Sequence, residues 1–311
     1  MKTVIITGAN TGLGFETARH LALNRPEWHL VLACRSETKA LTAQRKLTGL
    51  SGNLNISFFP LDLSSLSSVR EFVQLFNTAK LPPLHGIICN AGMSGTDALE
   101  FSADGIEKTF QVNYLSHFLL VYLLLPVMEK YGRIIVVSSE LHRNDGPMKA
   151  FHPNYTSALQ LAGPAVTETM IKDSGSQRYS TSKLCQVLYM NMLSKLLASS
   201  KYNEISVNAI NPGLMPATGL GGLNKKLLRK WFLKYILPFF AKGAVSTPEL
   251  SGEIIARMIW SDEFEGISGR CFDREKNVPS SAESHDLGKM KDLWDTSLEL
   301  VSESGRLLEK I

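Results

Sequence analysis

The chain has 311 residues, 44% hydrophobic and 20% charged, which is enough apolar material for a large core and too little charge for disorder. Its 33 basic and 29 acidic side chains leave a net +4, far from the footprint of a dedicated nucleic-acid binder, so no nucleic-acid partner is expected. Cys34, Cys89, Cys185 and Cys271 stand far apart with no CxxC pair, so no disulfide framework or zinc cluster is encoded and no metal site is expected.

In chain order, Thr3 to Thr7 reads as a first strand that runs into Thr7-Gly8-Ala9-Asn10-Thr11-Gly12-Leu13-Gly14 and then a helix from Gly14 to Leu23. Glycines in a strand-turn-helix context let the backbone approach a pyrophosphate, and the free N–H groups of the helix start favour its charge. Gly8, Asn10, Thr11, Gly12, Leu13 and Gly14 are the candidate residues for this role. A second strand, Leu30 to Ala33, leads to Cys34-Arg35-Ser36, and a third, Ile56 to Leu61, ends at Asp62 and Leu63. Asp62 reads either as a ligand contact or as the N-cap of a helix from Ser64 to Phe76. Gly86 to Cys89 is a fourth strand, followed by Asn90-Ala91-Gly92 and a helical stretch from Ala103 to Lys130 that carries Asn113. Ile134 to Val137 closes on Ser138-Ser139. A helix from Ser180 to Ala198 follows, with Tyr179 and Lys183 four apart and therefore on one face. Ser206 to Ile210 is a sixth strand, and Met290, Leu293, Trp294, Ser297, Leu298 and Val301 form a helical stripe expected to cover the sheet edge.

The strand runs are continuously apolar, as in parallel strands covered on both faces. The expected architecture is α/β: one domain over 1–311, built on a doubly wound parallel sheet with helices on both faces and elaborated at 140–178 and 214–247. No apolar run approaches the roughly 20 residues that span a bilayer. Met1-Lys2 opens no signal-peptide core. The expected location is cytoplasmic or peripheral at a membrane surface, and not secreted.

The glycine spacing TGxxxGxG, Asp62 in Leu-Asp-Leu, Asn90-Ala91-Gly92 and the YxxxK of Tyr179-Ser180-Thr181-Ser182-Lys183 resemble the short-chain dehydrogenase/reductase superfamily, in family order from residue 3 to about 273. The resemblance implies a Rossmann-type sheet and a catalytic tetrad of Asn113, Ser139, Tyr179 and Lys183. Tyr179 would be the proton donor, its phenol brought toward neutral-pH work by the Lys183 ammonium. Lys183 and Tyr179 would hold the nicotinamide ribose, Ser139 the substrate oxygen, and Asn113 a water linking Lys183 to solvent; Ser138 is the structural neighbour. Asp62 would contact the adenine amino group with the Leu63 amide nearby, Asn90, Ala91 and Gly92 would wall the adenosine ribose, and Pro212, Gly213 and Thr218 complete the cofactor residues. No carboxylate ends the second strand; Arg35 and Ser36 stand there instead and suit a 2′-phosphate, so NADPH/NADP is the expected cofactor.

Between Ser139 and Tyr179 lies a long insert, 140–178, whose Met148, Phe151, Tyr155, Leu159, Leu161 and Met170 are expected to wall a pocket for a bulky apolar substrate. With Lys183-Leu184-Cys185, Pro212-Gly213 and Lys242-Gly243-Ala244-Val245-Ser246, it resembles the light-dependent protochlorophyllide oxidoreductase and retinol-dehydrogenase-like branch. Leu214 replaces the cysteine that follows Pro-Gly in the photoenzymes, and Ser139 their usual threonine, which favours ordinary dark chemistry. His117 and His142 have no second ligand at metal spacing and read as structural. Residues 224–242 hold Lys225, Lys226, Arg229, Lys230, Lys234 and Lys242 with no acid, a substrate lid that could also touch a membrane surface. The expected activity is hydride transfer between nicotinamide and a carbonyl or alcohol. The alternatives are a protochlorophyllide photoreductase and a non-catalytic dinucleotide-sensing module, the latter disfavoured by retention of Tyr179 and Lys183. The oligomeric state is not encoded in any feature of the sequence.

Overall fold

The computed structural model describes residues 1–145, 151–163, 173–215 and 245–302. Strands β1 (Thr3–Thr7), β2 (His29–Cys34), β3 (Ile56–Pro60), β4 (Leu84–Cys89), β5 (Met128–Val137), β6 (Ser206–Asn211), β7 (Cys271–Asp273) and β8 (Lys276–Val278) form one sheet in the order β3-β2-β1-β4-β5-β6-β7-β8. Every pairing is parallel except β7 with β8. The order reverses between β1 and β4, and the crevice beyond the carboxyl ends of strands at such a switch point is where open α/β sheets bind ligands.

The helices are α1 (Gly12–Asn24), α2 (Glu37–Ser51), α3 (Leu66–Thr78), α4 (Lys108–Phe110), α5 (Ser116–Leu124), α6 (Ala158–Ala162), α7 (Gly175–Ala198), α8 (Pro248–Trp260) and α9 (Leu287–Val301). Strand side chains alternate between two cores, which is the expected doubly wound arrangement. Val4, Ile6, Leu30, Leu32, Ile135 and Val137 pack against α1, α2 and α8. Ile5, Val31, Ile87, Ile134 and Val136 pack against α3, α5, α7 and α9. Full burial of each such side chain contributes roughly 1.5–3 kcal/mol.

The structure corrects three expectations about elements. The stretch from Ala103 to Lys130 is not one helix: α4 passes through a π turn, Gln111–Leu115, into α5, and Met128–Lys130 already belong to β5. Pro126, lacking an N–H, sits in the 3₁₀ turn Leu125–Val127 that ends the helix. Tyr131, at φ 60°, and Gly132 then shift the register from Leu84↔Met128 to Gly86↔Arg133. Second, the stretch Lys108–Val127 is long and apolar enough to cross a bilayer, yet it is mostly buried in the protein core. Third, α9 buries all six residues of its predicted stripe. It covers the outer face of α5 and α7 rather than the sheet edge: Trp294 meets Phe118 edge-on at 5.1 Å and stacks on Tyr189 at 6.2 Å, and Ser297 bonds the Tyr114 hydroxyl at 2.7 Å.

Candidate active site

The turn after β1 lies at the switch point. Gly8 adopts φ +67°, open only to glycine at low cost, and its N–H donates to Ala33 O at 2.8 Å. A Cβ on Gly14 would lie 2.5 Å from both Gly8 O and Asn90 Nδ2, so α1 can begin this close to the turn only with glycine there. Thr11 caps α1 without a side-chain bond, and no acid occupies its first turn. The early amides of α1, with Asn10, Thr11, Gly12 and Leu13 around them, therefore present donors and a positive helix end that fit a pyrophosphate.

Asn90 and Ala91 are tied to β1: their N–H groups both donate to Thr7 Oγ1 at 2.9 Å, and Asn90 Nδ2 donates to Thr7 O at 2.8 Å. Gly92 faces the π turn, since a Cβ there would sit 3.2 Å from Asn113 Oδ1. Asp62 is not the N-cap of α3, a place taken by Ser65; it forms an Asx turn, with Oδ1 accepting from the Ser64 N–H at 2.9 Å and its hydroxyl at 2.7 Å. Leu63 is buried, its carbonyl accepting the Ser116 hydroxyl at 2.7 Å. Arg35 is exposed at the end of β2, and Ser36 caps α2 with a hydroxyl that makes no capping bond. Pro212 O accepts from Ser251 Oγ at 2.5 Å, and Gly213 turns the chain at φ +85°. Thr218 and the basic segment 224–242 lie outside the described residues.

Beyond β5, Ser138 is structural as expected: its N–H donates to Ile210 O at 2.8 Å and its hydroxyl to Lys183 O at 3.1 Å. Ser139 and Tyr179 are partly exposed, and their side chains bond one another. α7 starts at Gly175 rather than Ser180, so Tyr179 stands within the helix and the insert ends earlier than expected. Lys183 is buried, its Nζ 5.5 Å from the Tyr179 ring centre, donating to Val137 O at 2.9 Å and Gln186 Oε1 at 3.0 Å. Burial pushes Tyr179 up to about 12, partly offset by the Ser139 bond, and pulls Lys183 down to about 7. In the ligand-free chain the phenol is therefore raised rather than lowered by its surroundings.

Asn113, in the π turn, is the centre of a network that sequence reasoning did not reach. Its Oδ1 accepts from the Met93 N–H at 2.8 Å, and its Nδ2 donates to Met93 O at 3.0 Å and Ser182 Oγ at 2.9 Å. Its main-chain carbonyl accepts from Gln186 Nε2 at 2.7 Å and His117 Nδ1 at 3.1 Å. The Gln186 carboxamide links Lys183 to the Asn113 carbonyl directly. A carbonyl cannot donate, so His117 carries its proton on Nδ1 and accepts from the Thr7 hydroxyl at Nε2, 2.9 Å away. Burial keeps this imidazole neutral, near 4. A hydrogen-bonded line thus runs Thr7–His117–Asn113–Gln186–Lys183, from the nucleotide turn to the acid–base pair. His142 likewise steadies Ser139: Nδ1 bonds Ser139 O at 2.7 Å, and Nε2 accepts from the Ser281 N–H at 3.2 Å. Gln186, which sequence reasoning missed, had a signal, since it lies three residues from Lys183 on the same helical face.

The described residues of the insert differ in their surroundings. Tyr155 is buried against α9 with its hydroxyl on Asp292 at 2.7 Å, Leu159 is exposed, and Met148 and Met170 lie outside the described residues. Leu161 lines a small cavity beside Glu107, Phe110 and Arg178. Arg178, next to Tyr179, ties the loop after β4 to α7: it donates to Thr96 O and Asp173 O at 2.5 Å and pairs with buried Glu107 at 3.5 Å. The four cysteines are free and buried, and no metal-binding cluster occurs among the described residues.

A glycine turn at the switch point of a doubly wound sheet, with a tyrosine–lysine pair beside a serine at the end of β5, defines an oxidoreductase built around a nicotinamide dinucleotide. The family described as short chain dehydrogenase matches residues 2–159, and the chain belongs to it. It is 33% identical to the WW domain-containing oxidoreductase of Danio rerio over 97% of this chain and 69% of that protein. It is 32% identical to the protochlorophyllide reductase of Avena sativa over 96% of this chain and 99% of that one. Identity to the polyprenol dehydrogenase of Danio rerio is also 32%, over 96% and 86%. The resemblance to the protochlorophyllide reductase branch drawn from the motifs is therefore carried along nearly the whole chain.

Proposed function

We propose that this chain is an NADPH-dependent oxidoreductase acting on a carbonyl or alcohol of a bulky apolar molecule. The observation that carries the reading is the convergence of the Tyr179 phenol, the Ser139 hydroxyl and the buried Lys183 ammonium at the end of β5. The turn Gly8–Gly14 and the start of α1 would hold the pyrophosphate, Arg35 and Ser36 the 2′-phosphate, Asp62, Leu63 and Asn90–Gly92 the adenosine, and Tyr179 and Lys183 the nicotinamide ribose. When bound, the nicotinamide supplies or accepts the hydride. Tyr179 gives its proton to the substrate oxygen during reduction and takes one back during oxidation, while Ser139 donates to the same oxygen and steadies its developing charge. Lys183 supplies positive charge beneath the phenol, and cofactor phosphates would raise its share of ammonium.

The preference for NADPH is supported by the exposed guanidinium and uncapped hydroxyl where an acid would repel a 2′-phosphate. An apolar substrate is supported by relatedness to a protein named for polyprenol. Replacing Tyr179 by Phe should cut turnover by about 10²–10⁴-fold with cofactor affinity kept; near wild-type turnover would refute the reading. The second reading, light-dependent reduction of a tetrapyrrole ring, is favoured by the match across 99% of the oat protein. NADPH consumption in dark and light against apolar carbonyl and tetrapyrrole panels separates the two, with light-only turnover overturning the first.

A further inference from the structure

The Lys183 ammonium has three N–H donors, and two are spent on acceptors that cannot move away: the Val137 carbonyl of β5 at 2.9 Å and Gln186 Oε1 at 3.0 Å. The third side faces Gly92, where an added Cβ would lie 3.9 Å from Nζ. Gln186 is itself buried, and its orientation is fixed from the other end, because Nε2 donates at 2.7 Å to the Asn113 carbonyl that the π turn presents. Reversing the amide would set Nε2 against an ammonium and Oε1 against a carbonyl, so both bonds hold only one way.

We propose that Gln186 is a positioning residue for the acid–base pair, wedged between the Lys183 ammonium and the Asn113 carbonyl so that it holds the charge beneath Tyr179. The inference rests on the reading of Tyr179 and Lys183 as that pair. The titratable groups facing the amine are Tyr179 on its own helix and neutral His117 from α5, and no carboxylate acts on it among the described residues. Two neutral oxygen acceptors, Val137 O and Gln186 Oε1, do the work an acid would otherwise do.

The test is isotope-labelled lysine NMR of the cofactor-free protein across pH, with the Lys183 resonance assigned by its loss in Lys183→Met, alongside the pH profile of kcat/KM. Gln186→Met keeps length and removes both bonds. It should lower the Lys183 midpoint by about one pH unit, a tenfold change in the ammonium-to-amine ratio, and move the alkaline limb of carbonyl reduction down with it. Gln186→Glu should raise the midpoint by a similar amount. If Gln186→Met does not fold, the Glu variant decides alone. Wild-type midpoints in the folded variants would overturn the proposal, because a residue with only a packing role would change stability and leave the titration in place. Failure of the functional reading is distinguishable: full turnover in Tyr179→Phe would sink that reading while the Lys183 titration still reports whether Gln186 holds the ammonium.

Discussion

Gly14→Ala tests whether the nucleotide turn is set by backbone contact. The new Cβ would meet Gly8 O at 2.5 Å, Gly8 C at 3.0 Å and Asn90 Nδ2 at 2.5 Å. Asn90 could swing aside only by giving up its 2.8 Å bond to Thr7 O, and Gly8 is held by its 2.8 Å bond to Ala33 O. Relief of nearly an ångström of overlap must therefore come from pushing α1 off the turn, an overpacking that costs about 1–3 kcal/mol. The same displacement moves the first amides of α1 away from the phosphate position, and about 1.4 kcal/mol lost there is about tenfold in cofactor affinity. Gly49→Ala is the control: it lies in α2, with nothing within 4 Å of a built Cβ and no positive φ, so the same chemical change should stabilise by roughly 0.5–1 kcal/mol. Urea unfolding and calorimetric NADPH titration of both variants read the outcome. Gly14→Ala with wild-type stability and affinity would refute the reasoning.

Four further outcomes follow from the site and its supports. Arg35→Ala should lower kcat/KM for NADPH by about ten- to a hundredfold and leave that for NADH unchanged, and equal losses with both would remove Arg35 from the 2′-phosphate. Lys183 falls from 10.5 unfolded to about 7 folded, so between those values the unfolded chain binds more protons and stability rises with pH, by up to about 1.4 kcal/mol per unit; Lys183→Met should abolish that slope in unfolding titrations. His117 and His142 fall from 6.5 to about 4, so stability is lost as pH drops through that window, and His142→Gln should flatten the acid limb by about half. Arg178→Leu leaves Glu107 buried without its partner and should cost about 3–5 kcal/mol, measured by urea unfolding, with Glu107→Leu in the same chain recovering only the ion-pair part because the bonds to Thr96 and Asp173 stay broken.

How far the fold could be read from sequence follows from what each signal depends on. Strands β1, β2 and β4 are built on apolar runs whose burial on both faces is written into their composition, while β6 is buried despite Ser206 and Asn208. β5 was legible only from Ile134, since its first residues, Met-Glu-Lys-Tyr, carry no strand pattern and pair with β4 through a register shift that depends on Tyr131 and Gly132. β7 and β8, three residues each, exist because of the neighbours they pair with. The α9 stripe was readable as a stripe, but its target was not: periodicity shows that a face is buried and leaves open whether sheet or helix buries it.

The site divides along the same line. Tyr179, Lys183, Ser139 and the glycines are recognisable because their chemistry requires those residue types at fixed spacing, within a turn or a helix. Gln186, His117 and His142 act through partners 73, 110 and 139 residues away, Asn113, Thr7 and Ser281, and their residue types alone announce nothing. Each is buried, neutral and bonded at both ends, which is the arrangement that fixes a functional group without adding a competing charge. The histidines read from sequence as structural are the clearest case: as neutral imidazoles each offers one donor and one acceptor, and the fold uses both, on Asn113 O and Thr7 Oγ1 in one and on Ser139 O and the Ser281 N–H in the other. A polar residue three or four positions from a catalytic one, on the same face of a helix too apolar to solvate it, is therefore the feature by which such supports can be found before a structure exists.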